Sequence, residues 1–240
     1  IFIMNIAFED LATNSFVISI DQDRLDRFYN IFKAVGWPED ILPEHVEGVI
    51  TPITTPRESG CSKSHIKVIE LAKERDLPFC LIFEDDAYPM TDFKERINYT
   101  LSNLPCNAKC CLLGYVNPPV MEFHYRINDA IVPVPNNMRR YWGSHAYVVF
   151  KDCYDEIISL LKSTPHGDHT FHKIINTYAA SKPIFIQCIH KSGIHFKLPG
   201  YIYNYRVGLL NPPEGFPRYE DLINTNNTEN INKEKKDEIL

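Results

Sequence analysis

The stretch PFCLIFEDDA, Pro78 to Ala87, decides the fold class of this 240-residue chain. Its apolar run, Phe79 to Phe83, has no polar interruption and enters through a proline. Such a run reads as a strand covered on both faces, the kind found in parallel sheets flanked by helices. It ends in three adjacent carboxylates, Glu84, Asp85 and Asp86. Like charges side by side repel, so the cluster calls for a cation or for acid–base chemistry. If strand alternation persists, Glu84 and Asp86 project to one side and Asp85 to the other. Two oxygen ligands on one side suit a hard divalent cation that keeps open positions for a phosphate. A plainer reading fits the residues equally well: a solvated loop in which one Asp caps a helix starting near Thr91.

Working outward, strand-like and helix-like segments alternate. SFVISI (Ser15–Ile20) is a β-rich run ending at Asp21, and DRLDRFYNIFKAVG (Asp23–Gly36) reads as an amphipathic helix closing on Gly36. SKSHIKVIELAKERD (Ser62–Asp76) places His65, Ile69 and Ala72 on one helical face. AKCCLLG, SHAYVVF and PIFIQCI read as further strands. A helix after SHAYVVF aligns Tyr154, Ile157, Ile158 and Leu161, and a second after HGD aligns Phe171, Ile174, Ile175 and Tyr178. Between two of the strands, Tyr115 to Trp142 is long, irregular and rich in Pro and Asn, which suggests a functional loop. The pattern predicts an α/β domain over residues 1–210 with a largely parallel sheet, followed by a strap and a polar tail at 211–240. Ligands in such sheets bind at the carboxyl ends of strands, where both Asp21 and the acidic cluster fall.

Composition narrows the function classes. The chain is 44% hydrophobic and 23% charged with a net charge of −6, which argues against nucleic-acid wrapping or an anionic membrane surface. No apolar run is long enough for a transmembrane segment. The opening IFIMNIAFEDL lacks a basic region ahead of an apolar core, so a secretory signal is not expected there and the expected compartment is the cytoplasm. Seven scattered cysteines read as reduced thiols rather than a disulfide framework.

Several motifs in order resemble those of glycosyltransferase family 25, the enzymes of lipopolysaccharide and collagen-type glycosylation. They are Gly60, Cys61, Ser64 and His65 at a helix start, then Glu84, Asp85 and Asp86 at a strand end. FVISIDQDRLDRF resembles the family's opening strand and arginine-containing loop, and GSHAYVVF resembles its later Gly-Thr-His-Ala-Tyr strand with Ser144 in place of threonine. CIHKSGIH is a looser match. The resemblance implies a GT-A-type (Rossmann-like) fold and inverting transfer of a hexose, galactose or glucose, from a UDP-sugar donor. The acceptor would be a glycan or a hydroxylated protein. It further implies Mn²⁺ or Mg²⁺ held by Asp86, with Glu84 nearer the ribose or a metal-bound water and His195 as a late ligand. Asp21, Arg24, Asp85, His65 and His145 would line the nucleotide-sugar site.

An inverting transfer also needs a base for the acceptor hydroxyl, and Asp168 in TPHGDHTF is the candidate. It equally suits a helix N-cap. His65, on an apolar face, reads first as a core histidine satisfied by hydrogen bonds, and His145 fits crevice and core equally. Arg24 and Arg27, one turn apart, suit a diphosphate, while Asp23 and Asp26 between them suit a solvated face. Arg139 and Arg140, beside Tyr141 and Trp142, offer a basic-aromatic edge for donor or acceptor. Two other functions remain open: a non-catalytic nucleotide-sugar-binding protein of the same fold, and a zinc hydrolase using His169 and His172 with His166 or Asp168.

Overall fold

The computed structural model describes residues 6–52, 57–116, 128–134, 142–163 and 170–187. The helices are α1 (Phe8–Thr13), α2 (Gln22–Ala34), α3 (Arg57–Glu74), α4 (Phe93–Leu101) and α5 (Tyr154–Ser163). The strands are β1 (Ser15–Ser19), β2 (Glu44–Glu47), β3 (Phe79–Glu84), β4 (Ala87–Pro89), β5 (Cys110–Val116), β6 (Ile131–Pro133), β7 (Trp142–Phe150), β8 (Thr177–Ala180) and β9 (Phe185–Gln187). All of them join one sheet with the order β2-β1-β3-β7-β5-β8-β6, and β4 and β9 extend it from β5. Strands β1, β2, β3, β5, β8 and β9 share one direction, while β4, β6 and β7 oppose it. The expected α/β architecture with a mainly parallel sheet is thus observed.

The apolar run of β3 shows why the sheet is covered on both faces. Phe79, Leu81 and Phe83 enter one core with Leu25, Phe28 and Phe32 of α2, Trp37, and Phe93 and Ile97 of α4. Cys80 and Ile82 enter the opposite core with Val68, Ile69 and Ala72 of α3 and Ile157 and Leu161 of α5. The period-2 geometry of a strand splits consecutive apolar residues between two helical layers. Burial also pushes the thiols of Cys80 and Cys111 up to about 12, so they behave as inert packing groups. Cys110 and Cys153 are reduced, their thiols sharing a hydrogen bond at 3.8 Å.

Three expectations change. The helix aligned on Phe171, Ile174, Ile175 and Tyr178 does not form: a 3-10 turn, Phe171–Lys173, is followed by β8. Asn176 adopts φ 63°, a left-handed conformation that ends any helix there, and Ile175 is 61% exposed. α3 begins five residues ahead of Ser62, at Arg57. Short strands β2, β4 and β6 appear where the sequence reads as loop, because their pairing comes from distant partners. The strap and tail at 211–240 lie outside the described residues, as do 117–127 and 135–141 of the long loop.

The start of α3 is stitched to the loop after β2. Ser64 Oγ donates to the Gly60 carbonyl at 2.8 Å and accepts from the Val49 N–H at 2.7 Å. A Cβ on Gly60 would lie 2.6 Å from the Val49 carbonyl oxygen, so only glycine permits this approach. Gly60→Ala is expected to cost about 1–3 kcal/mol through backbone displacement, read as a lower urea midpoint with an unchanged slope.

Candidate active site

The carboxyl ends of β1 and β3 lie side by side, with Ile18 opposite Glu84 in register. Ser19 Oγ donates to Asp85 Oδ2 at 2.6 Å, and the Asp85 N–H donates to the Ile18 carbonyl at 3.1 Å. Asp21 begins α2 as its N-cap, accepting from the Arg24 N–H at 3.0 Å, and is itself exposed. Strand β7 is antiparallel to β3, so its first residues, including Ser144, reach the same rim. β9 pairs with β4, which places Gln187 opposite Ala87 and beside Asp86.

The three acids have three different surroundings. Glu84, the last residue of β3, keeps the strand's phase and faces the α3 layer. There it accepts from Ser144 Oγ at 2.6 Å and from His65 Nε2 at 3.3 Å. His65 is buried, and its Nδ1 meets the Tyr147 hydroxyl at 2.8 Å. Burial works against the charge on Glu84. His65, by hydrogen bond and charge, and then Ser144 and His145 outweigh it and hold Glu84 down at about 2. Asp85 faces the opposite layer, where its Oδ1 forms an ion pair with Arg24. Burial is the largest influence on Asp85 and raises it, against the opposing pull of Arg24 and Ser19.

Asp86 departs from the alternation that places it beside Glu84. The chain turns at Asp85 and Asp86 before β4, so strand phase no longer applies. Its Oδ2 accepts from Gln187 Nε2 at 2.9 Å and stands 3.7 Å from Arg24, the cation that also pairs with Asp85. Its Oδ1 is buried and has no hydrogen-bond partner among the described residues. Burial, and then the charges of Glu84 and Asp85, push Asp86 up to about 8. A buried carboxylate oxygen without a partner among the described residues carries a desolvation cost that no hydrogen bond there offsets.

His145 resolves to the core side: it is fully buried, with Nε2 3.2 Å from the Phe185 carbonyl. Gly114 makes room for it, since a Cβ there would stand 2.5 Å from His145 Nε2. Asp168, His195, His166, His169, His190, Arg139, Arg140 and Tyr141 lie outside the described residues. Ser19, Tyr147 and Gln187 join the site without a role assigned from the sequence, although Ser19 lies within FVISIDQDRLDRF and Tyr147 within GSHAYVVF. Ser19 was findable, standing two residues before Asp21 at a strand's end. Gln187 had no local signal, because it reaches Asp86 through a pairing between segments 100 residues apart.

Residues 50–170, half of the chain, match the family described as "Glycosyltransferase family 25 (LPS biosynthesis protein)". The chain belongs to glycosyltransferase family 25. The matched span holds Gly60, Cys61, Ser64, His65, Glu84, Asp85, Asp86, Ser144, His145 and Asp168, and it stops short of Asp21, Arg24 and His195. This family 25 member is accordingly a glycosyltransferase, an enzyme acting on a sugar donor and an acceptor. Among solved structures, a glycosyltransferase involved in the glycosylation of the major capsid of PBCV-1 is similar at 10% identity and TM-score 0.47. That match covers 74% of this chain and 94% of the other. A197 from STIV is similar at 14% identity and TM-score 0.38, covering 73% and 93%. No curated protein matches the family 25 chain significantly. No helix among the described residues is long and apolar enough to cross a membrane.

Proposed function

We propose that the protein transfers a hexose, galactose or glucose, from a UDP-sugar to a glycan or hydroxylated protein acceptor, with inversion and with the help of Mn²⁺ or Mg²⁺. The observation that carries this reading is the buried Oδ1 of Asp86 at the carboxyl end of β3, which has no partner among the described residues. Asp86 would hold the cation, with Glu84 as its supporting neighbour and His195 as the proposed late ligand. When bound, the cation would neutralise charge on the departing diphosphate. Arg24 and Arg27 support a diphosphate nearby, because among the described residues nothing accepts a hydrogen bond from the buried Nε of either.

The chain's own residues divide the remaining work. Arg24, held by Asp85, presents a guanidinium edge to the diphosphate, and Asp21 anchors the first turn of α2 that carries it. His65 and Ser144 keep Glu84 ionised and pointed. Asp168 takes the acceptor hydroxyl's proton as that oxygen attacks the anomeric carbon, while the bond from carbon to diphosphate oxygen breaks and UDP leaves. Phe171, three residues after Asp168 in the chain, packs edge-on against Tyr147 with ring centroids 4.6 Å apart. Tyr147 in turn meets His65, so Phe171 packs against the same network.

UDP release from UDP-galactose and UDP-glucose, measured over an acceptor panel with Mn²⁺ and with chelator, tests the proposal. Turnover is expected only with the cation, and Asp168→Asn is expected to lower kcat about 10²–10⁴-fold with UDP binding retained. UDP-sugar binding without turnover on any acceptor, unchanged in Asp168→Asn, would instead establish a non-catalytic binding protein.

A further inference from the structure

One group of side chains in the site has a chemistry that oxygen-ligated Mn²⁺ or Mg²⁺ does not use. Cys61 and His65 are one turn apart on α3 and therefore share a face, which looks onto the end of β3. Cys61 Sγ, a His65 ring nitrogen and a Glu84 carboxylate oxygen all lie within 4.8 Å of one another. We propose that Cys61, His65 and Glu84 form a binding site for a thiophilic divalent cation, Zn²⁺ above all, distinct from the hard-cation position at Asp86.

The distances fit the ion. Tetrahedral zinc takes nitrogen and oxygen at about 2.0–2.2 Å, which puts two such ligand atoms roughly 3.3–3.5 Å apart. His65 Nε2 and Glu84 Oε1 stand 3.3 Å apart. Sulfur, bonded at about 2.3 Å, belongs only slightly farther out. The nitrogen and oxygen therefore already stand at ligand spacing, and Cys61 Sγ, within 4.8 Å of the other ligand atoms, has to close in for a bond to form.

Both oriented ligands also have the outer partners that metal sites use. The Tyr147 hydroxyl holds His65 Nδ1, which leaves Nε2 as the ligating nitrogen. Ser144 Oγ donates to Glu84, fixing the carboxylate. His65 is buried, whereas the Glu84 side chain is 23% exposed and Cys61 is partly exposed, so a fourth position is left for water or a ligand. On binding, the cation replaces the Cys61 thiol proton and the proton between His65 and Glu84. Donor softness separates the two positions: thiolate and imidazole select Zn²⁺, while carboxylate oxygens with phosphate select Mn²⁺ or Mg²⁺.

Co²⁺, which absorbs where Zn²⁺ is silent, is the probe for the chelator-treated full chain. A single Co²⁺ per chain with a thiolate-to-cobalt charge-transfer band is expected, and the band should bleach on adding Zn²⁺. Cys61→Ser should abolish the band, Tyr147→Phe should weaken Co²⁺ binding about 10–100-fold, and Asp86→Asn should leave it unchanged. A Zn²⁺-dependent slowing of Cys61 alkylation gives a second readout on the unmutated chain, with exposed Cys106 as the internal reference. No charge-transfer band in the unmutated protein, a band that survives Cys61→Ser, or equal alkylation of Cys61 with and without Zn²⁺ would overturn the proposal. The Asp86→Asn arm keeps its failure distinct from failure of the proposed hard-cation site.

Discussion

Asp86→Asn is expected to lower cation-dependent transfer on the order of 10³-fold and, in chelator, to make the protein more stable. The loss follows from removing the carboxylate proposed to hold the ion, whose stabilisation of leaving-group charge is worth several kcal/mol. The gain follows from the electrostatics of the ion-free site. Asp86 is pushed up to about 8 by burial and by Glu84 and Asp85, whereas in the unfolded chain an Asp titrates near about 3.9. Between those values the native state binds more protons than the unfolded state, so this group makes stability fall as pH rises from about 4 to about 8. An amide carries no such charge and still accepts from Gln187 through its oxygen. The variant should therefore gain on the order of 4 kcal/mol near pH 7.5, roughly 8–16 °C in Tm, with the difference closing toward pH 4. Saturating Mn²⁺ should narrow that difference by stabilising only the parent protein, by about 2.7 kcal/mol at a hundredfold excess over Kd. Thermal melts of both proteins across pH, with chelator and with Mn²⁺, check all of this. A variant that is less stable than the parent at pH 7.5 in chelator would refute the assignment of Asp86 as a strained, ion-seeking carboxylate.

Asp85→Ala should fail in the opposite way. Asp85 is buried, accepts from Ser19, and pairs with an Arg24 guanidinium that is only 20% exposed. Removing Asp85 leaves Arg24 with only the more distant Asp86, 3.7 Å away, a loss of about 3 kcal/mol, or roughly 6–12 °C in Tm. Urea unfolding of Asp85→Ala, Arg24→Leu and the double variant measures the coupling, and the double variant should recover part of the loss. Additive losses would show that Arg24 does not depend on Asp85. The neighbouring acids thus predict contrasting phenotypes, one catalytic with a stability gain and one structural.

The sequence by itself carried the strand PFCLIFEDDA, the alternation of strands and helices around it, and the family motifs from Gly60 to Ser144. These features are local: an unbroken apolar run, a 3.6-residue period and motif spacing need no tertiary information. Strand phase also correctly separated Glu84 from Asp85, because both still belong to the pleat where the α2 and α3 layers begin. It did not reach Asp86, since the turn after Glu84 ends the alternation and hands that side chain to Gln187, paired from a hundred residues away. The same limit explains the helix expected over Phe171–Tyr178. Its spacing is helical, but the left-handed Asn176 and the pairing of β8 with β5 and β6 make its second half a strand. Tertiary structure alone decided which acid is ion-paired, which is hydrogen-bonded to histidine and which keeps an oxygen without a partner among the described residues. Neighbours distant in the chain set each carboxylate's desolvation and charge environment, and those two quantities separate the ion-paired Asp85 from Asp86, the carboxylate proposed to hold the cation.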